Sequence, residues 1–247
     1  MEDEELLRFS RQIMLPEIEI AGQEALNAAH VLVVGVGGLG SPVALYLAAA
    51  GIGKLTLLDH DEVDLTNLQR QIVHTTAAIG DPKVESAART LEAINPGTEI
   101  VTLQERADET RLNELVVDAD LVVDCTDNFT VRFEINRACV ASGTPLVSGA
   151  AIRLEGQIMV YDPGKPDCAC YQCLYQEAED GALNCAETGV AAPVVGVIGT
   201  LQAMEVLKLI AGFGESLAGY VLVYDAKYSD FRKLKLPRNP DCAACGS

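Results

Sequence analysis

Four cysteines in two Cys-x-x-Cys units, Cys170/Cys173 and Cys242/Cys245, stand behind an amino-terminal glycine loop, Gly35-Val36-Gly37-Gly38-Leu39-Gly40. Each short unit presents two sulfurs to one ion, so the pairs together can supply the thiolate tetrahedron that a structural zinc prefers. A closed tetrathiolate leaves no open position for a substrate, which moves the chemistry to the glycines. Backbone amides there can cradle phosphates, and Asp59 ends the next strand-like run at the distance from which ribose hydroxyls are bound. A nicotinamide or flavin dinucleotide is the generic expectation for such a loop. Residues 61–71 argue for something else, because they place polar groups and the guanidinium of Arg70 just beyond the ribose-binding strand, and Lys83 follows at a Pro-Lys helix start. Hydride transfer needs no cations near the phosphates, whereas breaking a phosphoanhydride does, since charge gathers on the departing pyrophosphate. Asp127, in Asp124-Cys125-Thr126-Asp127-Asn128, closes another strand and can hold Mg²⁺, or simply cap the helix that follows.

These groups need a scaffold, and the hydrophobic pattern supplies one. Short β-branched runs at residues 31–34, 54–59, 99–103, 120–125 and 145–148 read as buried parallel strands. Helical patterns separate them near residues 83–94, 108–117 and 131–141, and a further helix opens at Ser41-Pro42 with Ala44, Ala48 and Ala49 as a small-residue face. A charged helix is expected over residues 4–13. Strand–helix alternation of this kind predicts a doubly wound, Rossmann-like α/β fold with a mainly parallel sheet. Beyond Ala150 the pattern changes to an antiparallel extension, with strands at 155–161, 220–224 and 231–236, a helix over 197–211, and a long loop or crossing segment over 168–193. The expected organisation is a single domain, residues 1–150 binding nucleotide and residues 151–247 carrying the antiparallel, zinc-binding part.

Composition narrows the function classes. The chain of 247 residues is 49% hydrophobic, enough for a sizeable core, and its formal net charge of −18 disfavours nucleic acid and anionic membranes. That charge is a solvated surface or a face for a basic partner. No continuous apolar stretch of about eighteen residues is expected to span a membrane, and the acidic start Met1-Glu2-Asp3-Glu4-Glu5 is unlike a secretory leader. A cytoplasmic location is expected. Eight cysteines in a reducing compartment favour metal ligation or reactive thiols over disulfides. Cys168 offers an alternative ligand to the first pair, at a less usual spacing. Cys125 and Cys139 fall in apolar contexts and read as core residues. His30, His60 and His74 show no metal-ligand spacing and receive no role.

Arg8-Phe9-Ser10-Arg11-Gln12-Ile13, the glycine loop, Leu58-Asp59, Asn67-Leu68-Gln69-Arg70-Gln71, Pro82-Lys83, the Asp124–Asn128 stretch, Cys170-Tyr171-Gln172-Cys173 and Gly199-Thr200-Leu201-Gln202-Ala203 together resemble the MoeB/ThiF family, bacterial relatives of ubiquitin-activating enzymes. The resemblance covers nearly the whole chain. It implies an adenylyltransferase in which ATP, with Mg²⁺, activates the C-terminal Gly-Gly carboxylate of a small ubiquitin-fold sulfur carrier protein and pyrophosphate leaves. It further implies that the nucleotide lies against Gly38, Asp59, Thr66, Asn67, Leu68, Gln69, Arg70, Lys83, Asp127 and Asn128. Asp127, Arg70, Lys83 and Arg11 would carry the chemistry, with Arg11 reaching the site of the other subunit of a homodimer. Zn²⁺ would sit on Cys170, Cys173, Cys242 and Cys245. Cys185 matches a position where some relatives carry a thiol that links covalently to the carrier, and it is as readily inert as nucleophilic. Residues 148–157, Tyr224-Asp225-Ala226 and Arg238-Asn239-Pro240 resemble the molybdopterin branch more than the thiamine branch. No rhodanese-like segment occurs in these residues, so a separate persulfide donor is expected. A thiamine-pathway activator, a nucleotide-binding module without catalysis and a dehydrogenase are the competing readings.

Overall fold

The computed structural model describes residues 1–175 and 189–246. The opening segment folds as two short helices, α1 (Asp3–Arg8) and α2 (Ser10–Ile13), rather than one. Phe9 leaves the helical path at ψ 9° and buries its ring at 5% exposure. Helix α3 (Glu19–Ala28) then leads into strand β1 (His30–Val34), whose Val31, Leu32, Val33 and Val34 are buried. Helix α4 (Gly40–Ala50) follows the glycine loop and stops at Gly51, which adopts the left-handed conformation. Ala44 and Ala48 of α4 are buried, but Ala49 is exposed, so the small-residue face is narrower than its sequence suggests.

Strand β2 (Lys54–Leu58), helix α5 (Lys83–Ile94) and strand β3 (Glu99–Leu103) complete the first half of the sheet. Helix α6 (Glu109–Val117), strand β4 (Leu121–Asp124), helix α7 (Phe129–Ser142) and strand β5 (Leu146–Ile152) complete the second. Among the described residues the sheet order is β3-β2-β1-β4-β5, all parallel. The chain moves one way from β1 and the other way from β4. Crossovers between parallel strands are right-handed, so this reversal puts α4 and α5 on one face and α6 and α7 on the other. The point of reversal, between β1 and β4, is where such sheets open a crevice at their carboxyl edge.

Strand β5 runs past its expected end at Ser148 to Ile152 and turns directly into β6 (Glu155–Tyr161) through Arg153-Leu154. Arg153 takes φ 53°, which the two-residue turn requires. No helix intervenes, so pairing becomes antiparallel. It stays so through β7 (Tyr220–Asp225) and β8 (Asp230–Lys235), which extend one continuous sheet. Within the expected loop over 168–193 the structure forms a short helix, α8 (Tyr171–Leu174).

Helix α9 (Ala192–Ala211) is 20 residues long and apolar enough, by length and composition, to cross a membrane, which corrects the expectation that no such stretch exists. Its place in the fold explains the composition. It packs against α3, α4, β5 and β6, burying Val194, Val195, Ile198 and Val206 together with Gln202 and Glu205. Glu205 is paired with Lys208 at 2.6 Å and accepts the Leu217 amide at 2.8 Å, as a buried carboxylate must.

Candidate functional site: a nucleotide cleft and a four-cysteine cluster

The glycine loop leaves β1 at Gly35, whose φ of 89° is costly for any residue with a Cβ. Gly40 has no room for one, since a Cβ there would stand 2.0 Å from the Gly35 carbonyl oxygen. The loop therefore closes tightly enough to start α4 beside the sheet edge. Asp59 completes it from β2: Oδ2 accepts the Val36 amide at 2.7 Å and Oδ1 accepts the Asp61 amide at 2.9 Å. A carboxylate has further lone pairs, so ribose hydroxyls remain within its capacity.

A cavity of about 410 Å³ opens at the carboxyl ends of β1, β2 and β4. It brings Gly38, Asp59, Arg70, Lys83, Asp127 and Asn128 together from five separate stretches of chain. Thr66, Asn67, Leu68 and Gln69 do not line it. Thr66 and Asn67 belong to a 3₁₀ turn in which Asn67 Oδ1 accepts the Asp64 amide at 3.1 Å and Asp64 Oδ1 accepts the Thr66 hydroxyl at 2.6 Å. The turn sets Arg70, whose Nη1 donates to the Thr66 carbonyl at 3.1 Å. Arg11, exposed on α2, does not line this cavity either.

Lys83 is buried at 6% exposure, and its Nζ lies 2.7 Å from Asp61 Oδ2. Burial alone would raise the Asp61 carboxyl, but the hydrogen bond and charge of Lys83, aided by His60, more than offset it and hold Asp61 below the ordinary carboxylate value. The alternative role for Asp127 as a helix cap falls instead to Asn128, whose Oδ1 accepts the Val131 amide at 2.9 Å. Asp127 keeps its place on the cavity wall without that task.

Sequence reasoning passed over three lining side chains. Asp61, two residues past Asp59, was legible as polar but not as the partner of Lys83. Arg132 lies on the first turns of α7, five residues after Asp127, and is buried, with Nε 4.0 Å from Asp124 Oδ2 and a short hydrogen bond from Nη2 to the Thr126 carbonyl. Burial is the largest single influence and would lower its basicity, but Asp124, Tyr171 and Asp127 together more than offset it and keep the guanidinium protonated. Gln71, of the quoted Asn-x-x-Arg-Gln run, is 4% exposed. Among the described residues Gln71 Oε1 and Arg132 Nε have no hydrogen-bond partner. Buried polar atoms of this kind in a cavity wall fit a polar ligand.

The second cluster lies at the far end of the chain. Cys170 stands at the start of α8, Cys173 within it, and Cys242 and Cys245 in the carboxyl tail; the four sulfurs lie within 4.8 Å of one another. Cys170 and Cys242 approach to 3.6 Å, Cys173 and Cys245 to 3.4 Å. A tetrahedral zinc with sulfurs at about 2.3 Å spaces them roughly 3.8 Å apart, so the donor set fits the ion. Asn136 Nδ2 at 3.6 Å from Cys170 Sγ and the Asn239 amide at 3.4 Å from Cys173 Sγ supply the outer hydrogen bonds that thiolates need. Cys168 is not in the cluster; its sulfur contacts the Val160 carbonyl and the Asp162 amide. Cys125 and Cys139 are buried, as their apolar contexts imply. Cys185 lies outside the described residues.

The chain is 51% identical to molybdopterin-synthase adenylyltransferase of Escherichia coli (strain K12), covering 100% of this chain and 98% of that one. It is 46% identical to the sulfur carrier protein ThiS adenylyltransferase of the same strain, covering 100% and 97%. A crystal structure of E. coli MccB with ATP superposes with a TM-score of 0.84 at 26% identity, covering 97% of this chain and 75% of that chain. With the ThiF family matched across residues 9–244 as well, this chain belongs to the ThiF family.

Proposed function

We propose that this protein is a cytoplasmic adenylyltransferase that uses ATP to activate the C-terminal Gly-Gly carboxylate of a small ubiquitin-fold sulfur carrier, the small subunit of molybdopterin synthase in molybdenum cofactor biosynthesis. The observation that carries this reading is the convergence of Arg70, Lys83 and Arg132 with Asp59 and Asp127 around the glycine loop, in a chain half identical to a molybdopterin-synthase adenylyltransferase.

A carboxylate oxygen of the carrier attacks the α-phosphorus, the bond to the bridging α–β oxygen breaks, and pyrophosphate leaves with that oxygen. No side-chain nucleophile is required. Gly38 would lie against the phosphates and Asp59 would take the ribose hydroxyls. Residues 66–69 would approach from the 3₁₀ turn once nucleotide is bound. Arg70 and Lys83 would meet the charge that builds on pyrophosphate, and Asp127, beside Asn128, would hold Mg²⁺ and orient the reacting groups. Mg²⁺ supplies further neutralisation of the triphosphate when bound. Arg11 of the partner subunit would complete the site in a homodimer; the exposed Leu7, Met14, Leu65 and Ile72 support such an interface. Cys170, Cys173, Cys242 and Cys245 would hold a structural Zn²⁺ that ties α8 to the tail. In this reading residues 1–150 serve the nucleotide and residues 151–247 the zinc and the carrier, sulfur comes from a separate persulfide donor, and Cys185 is dispensable for the first step.

The 46% identity to a ThiS adenylyltransferase supports one alternative, activation of the thiamine-pathway carrier. Carrier-dependent ATP–pyrophosphate exchange, with Mg²⁺ and each carrier offered separately, decides between them. Exchange with the molybdopterin-synthase carrier alone is expected; exchange with the thiamine carrier alone selects the alternative, and exchange with neither removes both.

A further inference from the structure

Val36, between the first two glycines of the loop, is held by both of its backbone polar groups. Its N–H donates to Asp59, and its carbonyl oxygen lies 3.0 Å from His74 Nε2. A carbonyl only accepts, so Nε2 carries the ring proton. Nδ1 then offers a lone pair, and the Ser86 hydroxyl stands 3.0 Å away to donate to it. Ser86 belongs to α5, one turn beyond Lys83. A neutral imidazole of one tautomer therefore bridges the glycine loop and the helix that presents the buried lysine.

His74 is 6% exposed, so water cannot replace these bonds if they are lost. Lys83 and Asp59 are the charged groups that act on it, in opposite senses. In a trans peptide the carbonyl and the following N–H point to opposite sides. With the Val36 carbonyl turned to His74, the Gly37 N–H is turned away from the ring, and Gly37 is part of the cavity wall.

We infer that His74 is a positioning residue for adenylylation: it fixes the Val36–Gly37 peptide so that the Gly37 amide donates to a nucleotide phosphate, and through Ser86 it keeps that amide in register with Lys83. This inference rests on the ATP reading above and adds a residue to it. The ring gives up no proton and touches no substrate. Its contribution is to hold a donor that would otherwise have to be oriented at the moment of binding.

The test is calorimetric binding of ATP and of adenosine to the parent chain and to His74→Phe, His74→Gln and Ser86→Ala. Phenylalanine keeps the ring and loses the donor, while glutamine places an amide N–H near the position of Nε2. His74→Phe is expected to weaken ATP about tenfold, the scale of one lost buried hydrogen bond, and to leave adenosine affinity unchanged. His74→Gln should return ATP affinity to within about threefold of the parent, and Ser86→Ala, which removes only a hydroxyl, should weaken ATP by a factor of roughly two to five. Equal losses for ATP and adenosine, or no rescue by glutamine, would make His74 a purely structural residue. Should His74→Phe not fold, ATP affinity in Ser86→Ala equal to that of the parent overturns the inference. Absence of ATP binding by the parent protein removes the nucleotide reading itself, a different failure.

Discussion

Lys83 Nζ and Asp61 Oδ2 stand 2.7 Å apart in the cleft, joining the first residue of α5 to the loop beyond β2. The lysine is buried and the aspartate half-exposed, so the pair holds a cation in the cavity wall with its counter-ion toward solvent. Lys83→Ala should reduce ATP–pyrophosphate exchange by about two to three orders of magnitude, the usual consequence of losing a group that meets charge developing in the transition state. Asp61→Asn leaves the cation in place and should cost activity no more than about tenfold, but it takes the counter-ion from a buried lysine and should lower stability by about 1–3 kcal/mol. Equal activity losses in the two variants would show that the ion pair, and not the ammonium alone, is the working unit.

Asp127→Ala should fold with an unchanged far-ultraviolet spectrum, since the α7 cap belongs to Asn128, and should abolish exchange. A mutant exchanging at the parental rate would remove Asp127 from the mechanism.

Cys173→Ala should lose bound zinc and melt well below the parent, while Cys168→Ala, outside the cluster, should keep full metal content. Metal analysis by mass spectrometry alongside a melting curve separates the two. Full zinc and an unchanged melting point in Cys173→Ala would refute the tetrathiolate.

Burial is the main influence on His74 and pushes its imidazole below 6.5, with Lys83 adding to the effect and the Val36 carbonyl and Asp59 opposing it. The unfolded chain therefore binds the proton first as pH falls. Stability from keeping His74 neutral is complete above its unfolded value of 6.5 and declines as pH drops toward the lower folded value. Urea unfolding between about pH 5 and 8 should show a decline in the parent that is shallower in His74→Gln, which cannot titrate. Parallel curves for the two proteins would contradict this assignment.

Cys185→Ala should retain carrier-dependent exchange at the parental rate, because adenylylation asks for no thiol. Loss of the first half-reaction in that variant would favour a covalent step.

Much of this molecule is legible in its residues because the signals are local. The β-branched runs became strands at nearly their expected positions, α5 runs over the expected residues 83–94, and Gly35, Gly40 and Asp59 occupy the turn their types demand. The Cys-x-x-Cys units likewise declare their pairing by spacing alone. What the chain order could not disclose is any relation that depends on sheet register and on helices laid across it. Lys83 meets Asp61 across 22 residues, and His74 reaches Val36 across 38. Nothing periodic marks those partners, which is why His74 read as a histidine without a role. The long apolar run of α9 and the cap at Asn128 teach the same lesson: composition says what a residue can do, and only the packed tertiary structure decides which of those things it does.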